Sequence, residues 1–199
     1  MVTTIVLAGG KSQRLGRAKA LEEIGGQSLI ERVMDRISPL GNEIIVVTSS
    51  SDQFPDLGVR RVVDIYPGKG ALGGIYSGLK ESPSFHSLVV ACDMPFLNIA
   101  LVRHLMESSP GFDIVIPRVA ENVEPLHAVY SKNCLTPIEA MLHEGRLRIT
   151  DLFHAARVRY VEEAEIEKFD PERLSFFNIN SEADLERARA LLEKERTPI

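Results

Sequence analysis

The sequence predicts a three-layer α/β/α sandwich built around a mostly parallel sheet. Short β-branched runs alternate with longer segments of helical period, and no internal repeat or low-complexity linker interrupts the alternation. A chain of 199 residues buries one substantial core and is too short for two ordinary domains, so residues 1–199 are expected to form a single domain.

The expected strands are Thr3–Ala8, Ile44–Thr48, Val59–Val63, Leu88–Ala91, Ile114–Pro117 and His127–Ser131, each rich in β-branched or aromatic residues. Between them, Ser28–Ile37 places Leu29, Ile30, Val33, Met34 and Ile37 on one helical face and meets a stop at Gly41. Leu97–Met106 and Cys134–His143 repeat the pattern, the second stopped by Gly145. The last helix begins at Ser181, whose side chain can cap it with Asp184 three residues on. It turns Leu185, Ala188, Leu191 and Leu192 inward, and Glu193–Ile199 reads as a frayed tail.

Composition excludes several classes. Hydrophobic residues at 44%, charged residues at 26% and a mean hydropathy near zero describe a globular chain rather than a disordered or membrane one. The apolar run Ile5–Ala8 is far shorter than a signal-peptide core, and no stretch reaches the ~18 apolar residues of a membrane span. Cys92 and Cys134 have no CxxC partner, which argues against disulfides and zinc and favours a reducing, cytoplasmic location. A net charge of −5 argues against general nucleic-acid binding. The charge is uneven, however: residues 1–20 hold Lys11, Arg14, Arg17 and Lys19 and no acid, pointing to a small polyanionic ligand held locally.

That basic segment is also glycine-rich. Leu7 to Lys19, LAGGKSQRLGRAK, follows directly after the first strand, where paired glycines let backbone N–H groups approach phosphate oxygens. A P-loop ending at Gly10-Lys11-Ser12 would need a glycine where Ile5 stands, and the GxGxxG dinucleotide fingerprint is absent.

The pattern GG-x-S-x-R-x-G-x-x-K after an apolar strand resembles the signature loop of the MobA-like nucleotidyltransferases, whose members include molybdenum cofactor guanylyltransferases and cytidylyltransferases. Further segments match in family order along nearly the whole chain. Gly70-Ala71-Leu72-Gly73-Gly74 resembles the family's GPLAG loop, Cys92-Asp93-Met94-Pro95-Phe96 its CDxPF, Glu124-Pro125-Leu126-His127-Ala128 its QPLxA and Phe177-Asn178-Ile179-Asn180-Ser181 its FxNINT.

The resemblance implies a Rossmann-like sheet of the nucleotide-diphospho-sugar transferase type. It implies nucleotide binding by Leu7, Ala8, Gly9, Lys19, Asp64 and Asp93, catalytic roles for Lys19, Arg14 and Asp93, Mg²⁺ on Asp93, and acceptor contacts from Asn178 and Asn180. The residues agree with much of this. Asp93 sits where an apolar strand runs out, at the sheet edge where α/β folds bind ligands, and a hard carboxylate suits Mg²⁺. A cation at Lys19 suits charge developing at an α-phosphate.

The implied substrates are GTP and a molybdopterin-type phosphate acceptor, with a molybdoenzyme chaperone as a protein partner, and with neither nucleic acid nor membrane. Three features bear on the base. Gly16-Arg17-Ala18-Lys19 is closer to cytidylyltransferase relatives, and Ser50 stands where some guanylyltransferases place asparagine. Leu7-Ala8-Gly9-Gly10, by contrast, is guanylyltransferase-like, since Gly9 leaves room for a purine. A cytidylyltransferase, a sugar-phosphate nucleotidyltransferase and a non-catalytic nucleotide-binding protein of the same fold stay open as alternatives.

Overall fold

The computed structural model of the chain describes residues 2–9, 19–41, 43–49 and 56–196. Its strands are β1 (Thr3–Leu7), β2 (Glu23–Ile24), β3 (Gln27–Ser28), β4 (Ile44–Thr48), β5 (Arg60–Val63), β6 (His86–Ala91), β7 (Ile114–Val119), β8 (Asn122–Val123), β9 (His127–Ser131) and β10 (Val158–Glu162). Its α-helices are α1 (Leu29–Ile37), α2 (Gly70–Glu81), α3 (Ile99–Glu107), α4 (Leu135–His143), α5 (Glu163–Ile166) and α6 (Glu182–Arg196).

The main sheet runs in the order β10-β7-β9-β6-β1-β4-β5, with β8 against β7, and β2 and β3 form a separate ribbon. Pairing is parallel for β1 with β4 and β6, for β4 with β5 and for β7 with β10, while β9 is antiparallel to β6 and β7. The expected mostly parallel α/β/α sandwich is therefore what forms. Strand alternation explains the layers: on β1, Val6 faces the apolar side chains of α1 and α3, while Ile5 and Leu7 face those of α2 and α4. A third cluster seats Leu185, Ala188 and Leu192 of α6 on Ile24, Leu29, Phe96 and Ile179.

Helix starts follow their side chains. Ser28 and Glu31 form a reciprocal capping box at α1, with the Ser28 N–H donating to the Glu31 carboxylate at 2.9 Å. At α6 the Asp184 N–H donates to Ser181 Oγ at 3.3 Å and Asp184 Oδ2 accepts the Ser181 N–H at 2.9 Å, as the sequence predicts.

Besides the short β2, β3, β8 and α5, which were not expected, three longer elements differ from the expectations. The helix α6 continues through Arg196, so Glu193–Arg196 is helical rather than frayed, in keeping with the helix-favouring Glu, Lys and Arg there. Strand β10 pairs in parallel with β7 and was not expected, because only Val161 of its five residues is buried and no clear alternation marks it. The segment resembling a GPLAG loop is instead the first turns of α2.

Helix α2 is hidden in the sequence for physical reasons. Gly73, Gly74 and Gly78 each cost about 1 kcal/mol of helix propensity relative to alanine. Every residue from Leu72 to Leu79 is buried, so no polar face reveals a helical period. The glycines allow close approach instead. A Cβ on Gly78 would lie 2.5 Å from Ile5 Cγ2, and one on Gly74 would lie 3.2 Å from Leu7 Cδ2. Gly78→Ala is therefore expected to lower stability by about 1–3 kcal/mol through overpacking, despite alanine's better propensity. Urea unfolding checks the sign; a stabilised variant would mean that Ile5 yields.

His127 at the start of β9 is fully buried, and neither ring nitrogen has a partner among the described residues. Burial, opposed by the nearby Asp170, pushes its imidazole down from the ordinary 6.5 to about 4. The native state thus holds it neutral while the unfolded chain takes up a proton. The stability that this difference contributes is complete above pH 6.5 and is lost as pH falls through about 4. His127→Met should flatten the loss of stability between pH 7.5 and 4.5 by roughly 2–3 kcal/mol in urea titrations. An unchanged slope would assign the acid sensitivity elsewhere.

Candidate active site

The parallel strands end at one edge, and their backbones stay joined just beyond it. The Ala8 N–H donates to Val47 O at 2.9 Å, the Asp64 N–H to Thr48 O at 2.8 Å and the Cys92 N–H to Leu7 O at 3.2 Å. Over this edge lies a pocket lined by Leu7, Ala8, Gly9, Lys19, Asp64 and Asp93, so all six residues expected to contact nucleotide are brought together. Thr48, Ser49, Cys92, Leu126 and the α2 residues Gly70, Ala71 and Gly74 complete much of the wall. Arg14, together with Lys11, Arg17 and Ser50, lies outside the described residues.

Lys19 and Asp93 meet across the pocket. The Lys19 Nζ donates to Asp93 Oδ2 in a close ion pair and to Asn180 Oδ1 at 2.7 Å. Both members of the pair are largely shielded, with side-chain exposures of 16% and 18%, so the attraction is less screened than on an open surface. Asn180 reaches this point because the Ile179 N–H donates to the Asp93 carbonyl at 3.0 Å. The preceding segment is anchored by polar contacts: Asp170 accepts the N–H groups of Leu174 and Ser175, and Ser175 Oγ accepts the Asn98 N–H at 2.8 Å. Asn178 does not line the pocket; its amide donates to Phe176 O at 3.1 Å. No strand forms in this stretch.

Asp64 is held differently. Its Oδ1 accepts the Tyr66 N–H at 3.0 Å and the Ser77 hydroxyl at 2.8 Å. The carboxylate lies against bare backbone, because a Cβ on Gly73 would fall 3.2 Å from Oδ2 and 2.9 Å from Tyr66 O. Ser77 was missed from the sequence. It is buried within a glycine-rich helix, and nothing in its local pattern ties it to a carboxylate 13 residues away.

Gly9 does not have a left-handed backbone, and a Cβ there would make only an ordinary 3.6 Å contact with Ser49 N. The fold itself therefore leaves room for a methyl group. Cys92 is a wall rather than a nucleophile: burial, reinforced by the Asp93 charge and opposed by Lys19, pushes its thiol up to about 12. Both cysteines are free.

A divalent cation fits Asp93 in one specific respect. Asp93 lines the pocket, and its Oδ1 is buried with no partner among the described residues, leaving a hard anionic oxygen unsatisfied. No group of three or more His, Cys, Asp and Glu side chains gathers as a metal site among the described residues. A cation on Asp93 would therefore draw its remaining ligands from ligand oxygens and water, the usual habit of Mg²⁺. Among the described residues, no helix is long and apolar enough to cross a membrane.

Residues 4–158 match the family model described as the MobA-like NTP transferase domain, and the chain belongs to that family. It is 38% identical to a probable molybdenum cofactor guanylyltransferase of Pelotomaculum thermopropionicum, over 98% of this chain and 95% of that one. It is 34% identical to a molybdenum cofactor guanylyltransferase of Desulfosudis oleivorans, over 98% of each. The crystal structure of molybdopterin-guanine dinucleotide biosynthesis protein A from Archaeoglobus fulgidus superposes with a TM-score of 0.86 at 30% identity, covering 97% of this chain and 100% of that one.

Proposed function

We propose that this protein transfers GMP from GTP to the phosphate of a molybdenum-bearing molybdopterin, forming the guanine dinucleotide cofactor and releasing pyrophosphate. The observation that carries the reading is the pocket at the carboxyl edge, where the glycine-bearing end of β1, Lys19, Asp64 and Asp93 converge. The names of the full-length relatives supply the substrates.

The reaction is a direct displacement. An oxygen of the acceptor phosphate forms a bond to the α-phosphorus of GTP in line with the bridging oxygen, whose bond breaks to release pyrophosphate. A buried, protonated Cys92 supports a route without a covalent enzyme intermediate. Catalysis then rests on positioning and on charge. Lys19 lies between Asp93 and Asn180, where its ammonium can follow charge developing at the α-phosphate, and Asn180 would serve the acceptor. Gly9 and its backbone neighbours leave the nucleotide a close approach, and Arg14 would add a second cation. Asp93 would hold Mg²⁺, which supplies Lewis-acid neutralisation of the triphosphate when bound.

The test is incubation of the protein with Mg²⁺, the molybdopterin cofactor and each of GTP, CTP and ATP, with pyrophosphate detection and identification of the dinucleotide. GTP should be preferred. Product from CTP alone, or from a sugar phosphate alone, would sink the reading. Asp93→Asn should abolish turnover and leave the fold intact, because it removes an anionic ligand and keeps the shape; near-normal turnover in saturating Mg²⁺ would remove the metal from Asp93.

Base choice is expected to depend on Gly9. A methyl group there fits the protein, so its cost should fall on the ligand, and on a purine more than on a pyrimidine. Gly9→Ala should leave thermal stability nearly unchanged and shift the GTP-to-CTP ratio of kcat/KM by roughly 10- to 200-fold, the usual range for steric discrimination. Equal losses for both nucleotides would tie Gly9 to the loop backbone instead.

A further inference from the structure

The structure assigns Ser77 as the positioning residue that turns Asp64 toward the nucleoside, an inference that rests on the proposed nucleotide site. Ser77 is fully buried in α2 and sits between two segments. Its Oγ accepts the Ile65 N–H at 2.8 Å. That bond fixes the oxygen and leaves a single hydroxyl proton to place. Two acceptors compete for it: Asp64 Oδ1 at 2.8 Å and Gly73 O, one helical turn back, at 2.9 Å. A carboxylate oxygen is the stronger acceptor, so the proton goes to Asp64.

With the Tyr66 N–H also bonded to Oδ1, that oxygen has two donors. Oδ2 has no partner among the described residues, and Asp64 lines the pocket. The arrangement thus divides the carboxylate into an anchored oxygen and a free one. Gly73 makes it possible, since a side chain there would crowd both carboxylate oxygens, at 3.2 and 3.3 Å.

The free oxygen takes a hydrogen-bond donor, not a phosphate. Two anions at contact distance repel, whereas the N–H groups of guanine and the hydroxyls of ribose donate. Ser77 therefore acts on nucleotide affinity through Asp64 and leaves the reacting phosphorus alone.

The test is calorimetric titration of GTP with Mg²⁺ and no acceptor, on the native protein, Ser77→Ala, Asp64→Ala and the double variant. Ser77→Ala should weaken GTP binding roughly tenfold, the scale of a hydrogen bond to a charged group, and should add less than about twofold in the Asp64→Ala background. In turnover assays KM for GTP should rise with kcat within about twofold. Gly73→Ala, which keeps the Ser77 hydroxyl but crowds the carboxylate, should weaken GTP through the same dependence on Asp64 and covers the case in which Ser77→Ala fails to fold. A Ser77 effect that vanishes with inosine triphosphate places the donor on the base; one that vanishes with 2′-deoxyguanosine triphosphate places it on the ribose. An equal loss from Ser77→Ala with and without Asp64, or no loss, overturns the assignment. If Asp64→Ala still weakens GTP in that case, the nucleotidyltransferase reading stands; a native protein that does not bind GTP removes both.

Discussion

The close seating of α2 on β1 is the constraint from which the site follows. With no side chain on Gly74 or Gly78, the helix lies directly against Leu7 and Ile5, the residues that lead into the glycine-rich loop. The same approach sets the first turn of α2, Gly70 and Ala71, beside Ala8 and Gly9 in the pocket wall. One and two turns further on, Gly73 and Ser77 meet the carboxylate that follows β5. Packing usually favours filling such a contact with methyl groups, at a gain of about 0.8 kcal/mol per buried CH₂. Here the helix forgoes that gain, along with propensity, and what it obtains is a floor of backbone under the pocket.

This trade explains which parts were legible in the sequence. The strands β1, β4, β6, β7 and β9 announce themselves because parallel or central strands buried on both faces read as apolar β-branched runs. The helix α1 is equally plain, with a polar face opposite Leu29, Ile30, Val33 and Ile37 and a capping box at its start. The helix α2 is not, since burial all round removes the periodic signal and its glycines mimic a loop. The edge strand β10 is half exposed and lacks alternation. Of the site, residues defined by a motif, such as Gly9, Lys19 and Asp93, are readable from spacing and resemblance. Ser77 is defined only by a tertiary contact, so no local pattern reveals it.

The electrostatics of the pocket complement this rigid floor. Asp93 divides its two oxygens between different tasks, with Oδ2 paired to Lys19 and Oδ1 buried without a partner among the described residues. Burying an anionic oxygen unbonded is costly, on the order of 1–3 kcal/mol even for a neutral polar group. Such a cost is tolerated where a ligand removes it. The Lys19 pairing meanwhile keeps the second oxygen neutralised and restrains the carboxylate's orientation.

The Lys19 ammonium also ties the nucleotide side to the far end of the chain. Its bond to Asn180 spans 161 residues, and the Ile179 N–H to the Asp93 carbonyl fastens the same segment from beneath. Buried Asp170 and Ser175, with half-buried Asn98, hold that segment's approach through backbone amides, so Asn180 is placed by a hydrogen-bonded scaffold rather than by a strand. An in-line transfer needs the attacking oxygen and the leaving bridging oxygen on opposite sides of the α-phosphorus, held in a near-attack geometry. A lysine gripped on one side by the carboxylate at the sheet edge and on the other by the segment entering α6 is a cation held in one position by side chains from distant parts of the chain. Both grips are side-chain oxygens, Asp93 Oδ2 and Asn180 Oδ1, and the Ile179 N–H to the Asp93 carbonyl keeps the two segments that carry them together.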